Sequence, residues 1–168
     1  MTRQSRTILP AAVLAALMLA GCGSSAPPAP PVPPDKSVFI SAKDCAESGK
    51  LKLERCGELI DVAIEDHIRS AATYTSQKAC EAVEGPERCE RTDKKAFRPR
   101  LLAFVVVIAG EQSVSAPLYA TIGGEPGFRT RDKQMFLTTD ENLTFSPKAV
   151  AMYETNKFDG VPSGGYQF

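Results

Sequence analysis

Apolar residues recur at helical spacing between Leu53 and Ala72: Leu53, Cys56, Ile60, Ile64, His67 and Ala71 follow one another by three or four positions. Glu54, Glu58, Asp61, Glu65 and Asp66 take mostly other faces, which predicts one amphipathic helix. Later the period changes. Leu101 to Ala109 is a continuous apolar run rich in valine, too short to cross a bilayer and suited to a buried central strand. Ala116 to Ile122 predicts a second strand, ended by Gly123-Gly124. Phe128–Arg131 and Gln134–Thr138 read as a hairpin turning near Asp132-Lys133. Ser146-Pro147 opens a short helix through about Tyr153, with serine as cap and proline in the first turn. The tail from Lys157 is glycine-rich and reads as irregular.

Two segments on either side of the long helix echo each other. Phe39-Ile40-Ser41-Ala42-Lys43-Asp44-Cys45 is matched by Tyr74-Thr75-Ser76-Gln77-Lys78-Ala79-Cys80. Each reaches a glycine, Gly49 or Gly85, and closes on Glu-Arg-Cys, at Cys56 and Cys89. In both, serine can cap a short helix and glycine can end it. Four cysteines in an exported chain read most simply as two disulfides. Three connectivities are possible, and the echo favours Cys45–Cys56 with Cys80–Cys89. A zinc site is the alternative, but close CxxC pairs are absent and the lone His67 lies between the pairs. The fold class expected is α+β: a disulfide-linked helical N-terminal part packed on a small, mainly antiparallel sheet.

The apolar run Ile8–Ala20 is broken only by Pro10, preceded by Arg3 and Arg6, and closed by Leu19-Ala20-Gly21-Cys22. It is too short to span a bilayer and has the three parts of a secretory signal. The closing tetrapeptide looks like a lipobox, which predicts a signal peptide over residues 1–21 and lipidation of Cys22. An ordinary secretory signal is the rival, and the cysteine directly after Leu-Ala-Gly argues against it. Two or more acyl chains hold a protein stably on a membrane. Gly23 stands where an Asp commonly retains lipoproteins at the inner membrane, so the expected location is the periplasmic face of the outer membrane. Residues 22–34 then form a lipidated, proline-rich linker, with six prolines between Gly23 and Pro34. Such a segment is a semi-rigid spacer of about 3.1 Å per residue. Residues 35–168 make a single domain.

Cleavage after Gly21 would remove two of the 20 basic residues and none of the 20 acidic ones, a net charge of −2. No strongly basic face points to nucleic acid. No GxSxG, HExxH or glycine-rich phosphate loop is present, and neither cofactor nor metal is expected. His67, the only histidine, reads as a packed helix residue more readily than as a catalytic base, since no serine or cysteine nucleophile is placed to use it. Phe97-Arg98-Pro99-Arg100 and Phe128-Arg129-Thr130-Arg131 share the pattern Phe-Arg-x-Arg. In extended chain, residues two apart share a face. Arg98, Arg100, Arg129 and Arg131 could therefore grip a phosphate or carboxylate of an anionic envelope component or acidic partner. The simpler reading is two solvated strand ends.

The ordered set Cys45…Cys56, Cys80…Gly85…Cys89, Pro99 with Leu101-Leu102-Ala103-Phe104, Pro117-Leu118-Tyr119, Gly123-Gly124 with Phe128-Arg129-Thr130, Phe145-Ser146-Pro147 and Ser163-Gly164-Gly165-Tyr166 resembles the YgiB-type bacterial lipoproteins, domain of unknown function 1190. The resemblance covers nearly all of Phe39 to Tyr166. The family often has Ala-Pro where this chain has Ala72-Thr73, and an arginine and a phenylalanine in the terminal motif where this chain has no arginine and Tyr166. No role of that arginine carries over. The resemblance implies an envelope lipoprotein and no established activity. Two functions stay open: a non-catalytic envelope protein that binds a partner or supports surface organisation, and a small periplasmic hydrolase or ligand-binding enzyme whose site is assembled only in the fold.

Overall fold

The computed structural model describes residues 33–122 and 127–155, the last three by their backbone alone. The readings of residues 1–21 as a signal peptide, of Cys22 and most of the linker, of Gly123-Gly124 as a strand end, and of the tail from Lys157 lie outside the described residues. Among the described residues no helix is long and apolar enough to cross a membrane.

The chain forms β1 (Asp35–Phe39), α1 (Ala42–Glu47), α2 (Leu53–Ser70) and α3 (Gln77–Glu84), then β2 (Cys89–Arg91) and β3 (Phe97–Pro99). It continues through β4 (Ala103–Ala109), β5 (Gln112–Ala120), β6 (Phe128–Arg129), β7 (Met135–Phe136), β8 (Thr144–Phe145) and α4 (Pro147–Thr155). Six strands make one sheet in the order β7-β6-β5-β4-β1-β8, antiparallel except for the β1–β8 pair, and β2 with β3 makes a separate hairpin. The class is α+β, as the residue patterns imply.

The echoed segments fold alike for the reasons their residues suggest. Ser41 Oγ accepts from the Asp44 amide and Ser76 Oγ from the Ala79 amide, both at 3.1 Å, which caps α1 and α3. Gly49 just after α1 and Gly85 at the end of α3 take φ of +73° and +104°, where a side chain would be strained. Each segment then closes on its own disulfide. Cys45 bonds to Cys56 and Cys80 to Cys89, with Cα atoms 5.9 and 6.2 Å apart.

β4 lies between β5 and β1 and is buried on both faces, which is why its sequence is continuously apolar. On one face Phe104 packs with Ile60, Ala63, Ile64 and Leu101, and Val106 with Phe39, Leu59 and the Cys45–Cys56 bridge. On the other, Ala103 and Val105 join Val38, Leu118, Phe128, Phe136 and Ala149 of α4. Each large apolar side chain buried in this way contributes about 1.5–3 kcal/mol.

Several boundaries differ from the sequence reading. α2 ends at Ser70, and its cap Ala71 turns extended. β5 begins at Gln112 instead of Ala116, because the Gly110-Glu111 tip pairs Gln112 with Ala109 and carries the ladder through Val114 opposite Val107. Gln112, Ser113 and Ser115 hid that half from a hydrophobic pattern. The expected hairpin is present but shorter, with a tight Thr130–Gln134 turn between β6 and β7.

Candidate functional site

The most concentrated polar chemistry lies in the interior, where α2, α3, the β2–β3 hairpin and the β5–β6 part of the sheet meet. His67 projects from the buried stripe of α2 and is 1% exposed. Its Nδ1 lies 3.1 Å from the Tyr119 hydroxyl, and its Nε2 lies 3.2 Å from Glu90 Oε1. Arg98 Nε donates to the same oxygen at 2.7 Å. Beside this chain, the Arg129 guanidinium stands 5.5 Å from the Tyr119 ring centre and donates to Glu84, whose other oxygen accepts from the Tyr74 hydroxyl at 2.9 Å.

The electrostatics fix the states of Tyr119 and Glu90. Burial pushes the Tyr119 phenol far above its ordinary value, and the nearby Asp66 carboxylate adds to that against the arginines around it. Tyr119 therefore keeps its proton in its hydrogen bond with Nδ1, and the imidazole turns Nε2 toward Glu90. Burial also pushes the Glu90 carboxyl up, but hydrogen bonds from His67 and Arg98 outweigh it and hold Glu90 below its ordinary 4.5.

A pH dependence follows with a definite sign. A carboxyl depressed in the folded state adds stability above its unfolded value, and that stability is lost as pH falls below 4.5 through the folded value. Glu90→Gln should cost about 2 kcal/mol at neutral pH and should flatten the acid limb of the stability curve, measured by urea unfolding across pH. An acid limb identical to the parent's would refute this.

Carboxylate, imidazole and hydroxyl in that order is the arrangement of nucleophilic triads. Here the hydroxyl is a phenol that resists ionisation, and Tyr119 is 2% exposed. A reacting carbonyl cannot be brought to about 3 Å from it. The array ties helices to sheet.

A second hydroxyl–base contact lies at the start of the sheet. Lys50 Nζ donates to Ser37 Oγ and to Asp35 Oδ1, both at 2.8 Å, and Ser37 Oγ donates to Asp35 at 3.1 Å. Those bonds to Asp35 hold its carboxyl low, chiefly through Lys50. The lysine is thus the cation of an ion pair and leaves no free base for the serine.

Ser37 also lines a cleft of about 370 Å³ bounded by β1, β8, the end of α1 and the first turn of α4. Phe39 and Phe145 give it apolar walls, and Asp44, Glu47, Lys50 and Lys148 bring charge to it. Asp44 Oδ2 accepts from the Ile40 amide at 2.9 Å and from the Ser146 hydroxyl at 2.5 Å. Ser146 in turn caps α4 by accepting from the Ala149 amide at 3.0 Å.

The four arginines singled out in the sequence are not presented together as an open anion grip. Arg98 and Arg129 do reach the surroundings of Tyr119, but each faces inward onto a carboxylate, Glu90 or Glu84. Arg100 donates to the Cys89 carbonyl at 3.5 Å, while Arg131 stays exposed beside Asp132. An incoming anion would have to displace Glu84 or Glu90. The sequence pattern found the arginines and missed Glu84, Glu90, Tyr119 and Asp44, whose partners come from distant segments. Among the described residues no group of His, Cys, Asp and Glu is placed to hold a metal ion.

No curated protein and no solved structure matches this chain. Residues 34–160 match the family described as "Protein of unknown function (DUF1190)", a span that includes both disulfides, the buried network and the cleft. With most of its length inside that match, the chain belongs to the DUF1190 family.

Proposed function

We propose that this is a lipid-anchored protein of the outer membrane, facing the periplasm, whose folded domain binds a partner or envelope component non-covalently and catalyses nothing. The observation that carries the second half is the state of its hydroxyl–base contacts: the Tyr119–His67 pair is sealed inside and the Ser37–Lys50 pair is closed by Asp35. The cleft bounded by β1, β8, α1 and α4 stays open to solvent and is suited to binding. The anchoring half is supported by the Leu19-Ala20-Gly21-Cys22 junction and the prolines that follow it. It accords with the resemblance to YgiB-type lipoproteins. The spacer would hold the domain clear of the headgroups.

Mass spectrometry of the mature N-terminus should find an acylated Cys22, and Cys22→Ser should move the protein from the membrane fraction to the soluble one. An unmodified start at another residue would overturn the anchoring. In-cell crosslinking followed by mass spectrometry should return a consistent envelope partner. Turnover of an ester, amide or glycan substrate by the purified protein would favour the hydrolase instead.

A further inference from the structure

The cleft beside α4 engages its polar groups among themselves. Lys148 donates to Glu47 at 2.7 Å and also acts electrostatically on Asp44. Asp44 accepts from the Ile40 amide and the Ser146 hydroxyl, and Ser146 accepts from the Ala149 amide. Lys50 donates to Asp35 and to Ser37, both at 2.8 Å. Ser48 donates to the Cys45 carbonyl at 2.6 Å and accepts from the Lys50 amide at 3.3 Å. The ionisable residues of the lining, Asp44, Glu47, Lys50 and Lys148, sum to zero charge. The rest of the lining is Phe39, Thr144, Phe145 and Pro147. Each lysine head is held by a carboxylate, which leaves its aliphatic stem to the cleft.

We infer that the cleft binds the alkyl chain of an amphiphile whose head carries no net charge, the chain lying against Phe39, Phe145 and Pro147. Each methylene buried there gains about fourfold in affinity, and no polar group of the cleft has to give up a partner. An anionic guest would compete with Glu47 for Lys148, and a cationic one with Lys148 for Glu47 and Asp44. A sugar would find Ser37, Ser48 and Ser146 already engaged. The rim sets both signs side by side, Lys50 with Asp35 and Lys148 with Glu47, which matches a head of zero net charge. The volume of about 370 Å³ is that of a small-ligand site. An outer-membrane setting would surround the domain with such chains. The inference rests on reading the domain as a non-covalent binder in that setting.

The test is an amide-resolved NMR titration of the intact mature chain in digitonin, a neutral detergent without an alkyl chain. The probes are 1-butanol, 1-hexanol, hexanoate and hexylammonium. Hexanol should give saturable shifts at Phe39, Ser48, Phe145 and Lys148 and bind about tenfold or more tightly than butanol. Hexanoate and hexylammonium should each bind about tenfold or more weakly than hexanol. Thr144 is exposed and stands beside Ser37 in the β1–β8 register. Thr144→Trp should therefore fill the cleft and abolish the hexanol shifts while keeping the parent's thermal midpoint. If that variant fails to fold, the chain-length and head-charge contrasts on the parent chain decide. Equal binding of butanol and hexanol, a charged probe that binds as tightly as hexanol, shifts confined to another surface, or no saturable binding would overturn the inference. Those outcomes leave partner crosslinking and the state of Cys22 untouched, so they are separable from failure of the proposed function.

Discussion

Arg129→Met should destabilise the domain by about 3–5 kcal/mol, because removing one member of a buried ion pair leaves the other charge unmatched in a poor solvent for it. Arg129 and Glu84 have side chains only 7% exposed, and Glu84 keeps one other donor, the Tyr74 hydroxyl. That hydroxyl cannot compensate a full charge. The loss also removes the guanidinium from the Tyr119 ring. Thermal unfolding should fall by roughly 10 °C or more for a domain of this size. The paired variant Glu84→Gln with Arg129→Met removes both charges and should recover much of the loss, since replacing a whole buried pair by neutral groups is often tolerated. A single variant within about 1 kcal/mol of the parent would mean that Glu84 is solvated or protonated. Either result would dissolve the argument that the network is a closed structural unit.

The same pair shows where the sequence stops being legible. Local signals were readable because their causes are local. The serine caps of α1 and α3, the glycines after them, the amphipathic stripe of α2 and the doubly buried β4 all act within a few residues. The disulfide pairing was readable because each bridge closes over a short loop inside an echoed segment. The hairpin β2–β3 and the edge strand β8 were not, since they are two or three residues long and carry no alternation. The site was harder still. Arg129 and Glu84 stand 45 positions apart, and Asp44 and Ser146 stand 102 apart. Nothing near Arg129 in the chain says that a carboxylate waits for it, so an arginine motif at a strand end reads as solvated or as an anion grip. His67 differed, because its place on the apolar stripe of α2 already predicted burial.

Replacing Cys80 and Cys89 with alanine should cost about 2.5–3 kcal/mol from the restored freedom of the unfolded chain, and it should do more damage than that entropy alone. The bridge clamps α3 onto β2, with Cys80 fully buried and Cys89 nearly so. Glu84 lies one helical turn beyond Cys80, and Glu90 is the residue after Cys89. The bridge therefore fixes both carboxylates that face Arg129 and Arg98. If so, its loss and Arg129→Met act on one structural unit, and their effects should sum to visibly more than the triple variant loses. Coupling of about 0.5–3 kcal/mol is the usual range for groups that share partners. Cys45–Cys56 supplies the control. That bridge joins α1 to α2 within the cluster of Phe39, Leu59 and Val106, a set that contains none of the network residues. Its removal should also cost about 2.5–3 kcal/mol plus a core defect, but it should add to Arg129→Met without coupling. Urea unfolding of the five variants, read against the parent, separates the cases. Additivity in both cycles would show that α3 and the hairpin hold Glu84 and Glu90 in place without help from the bridge.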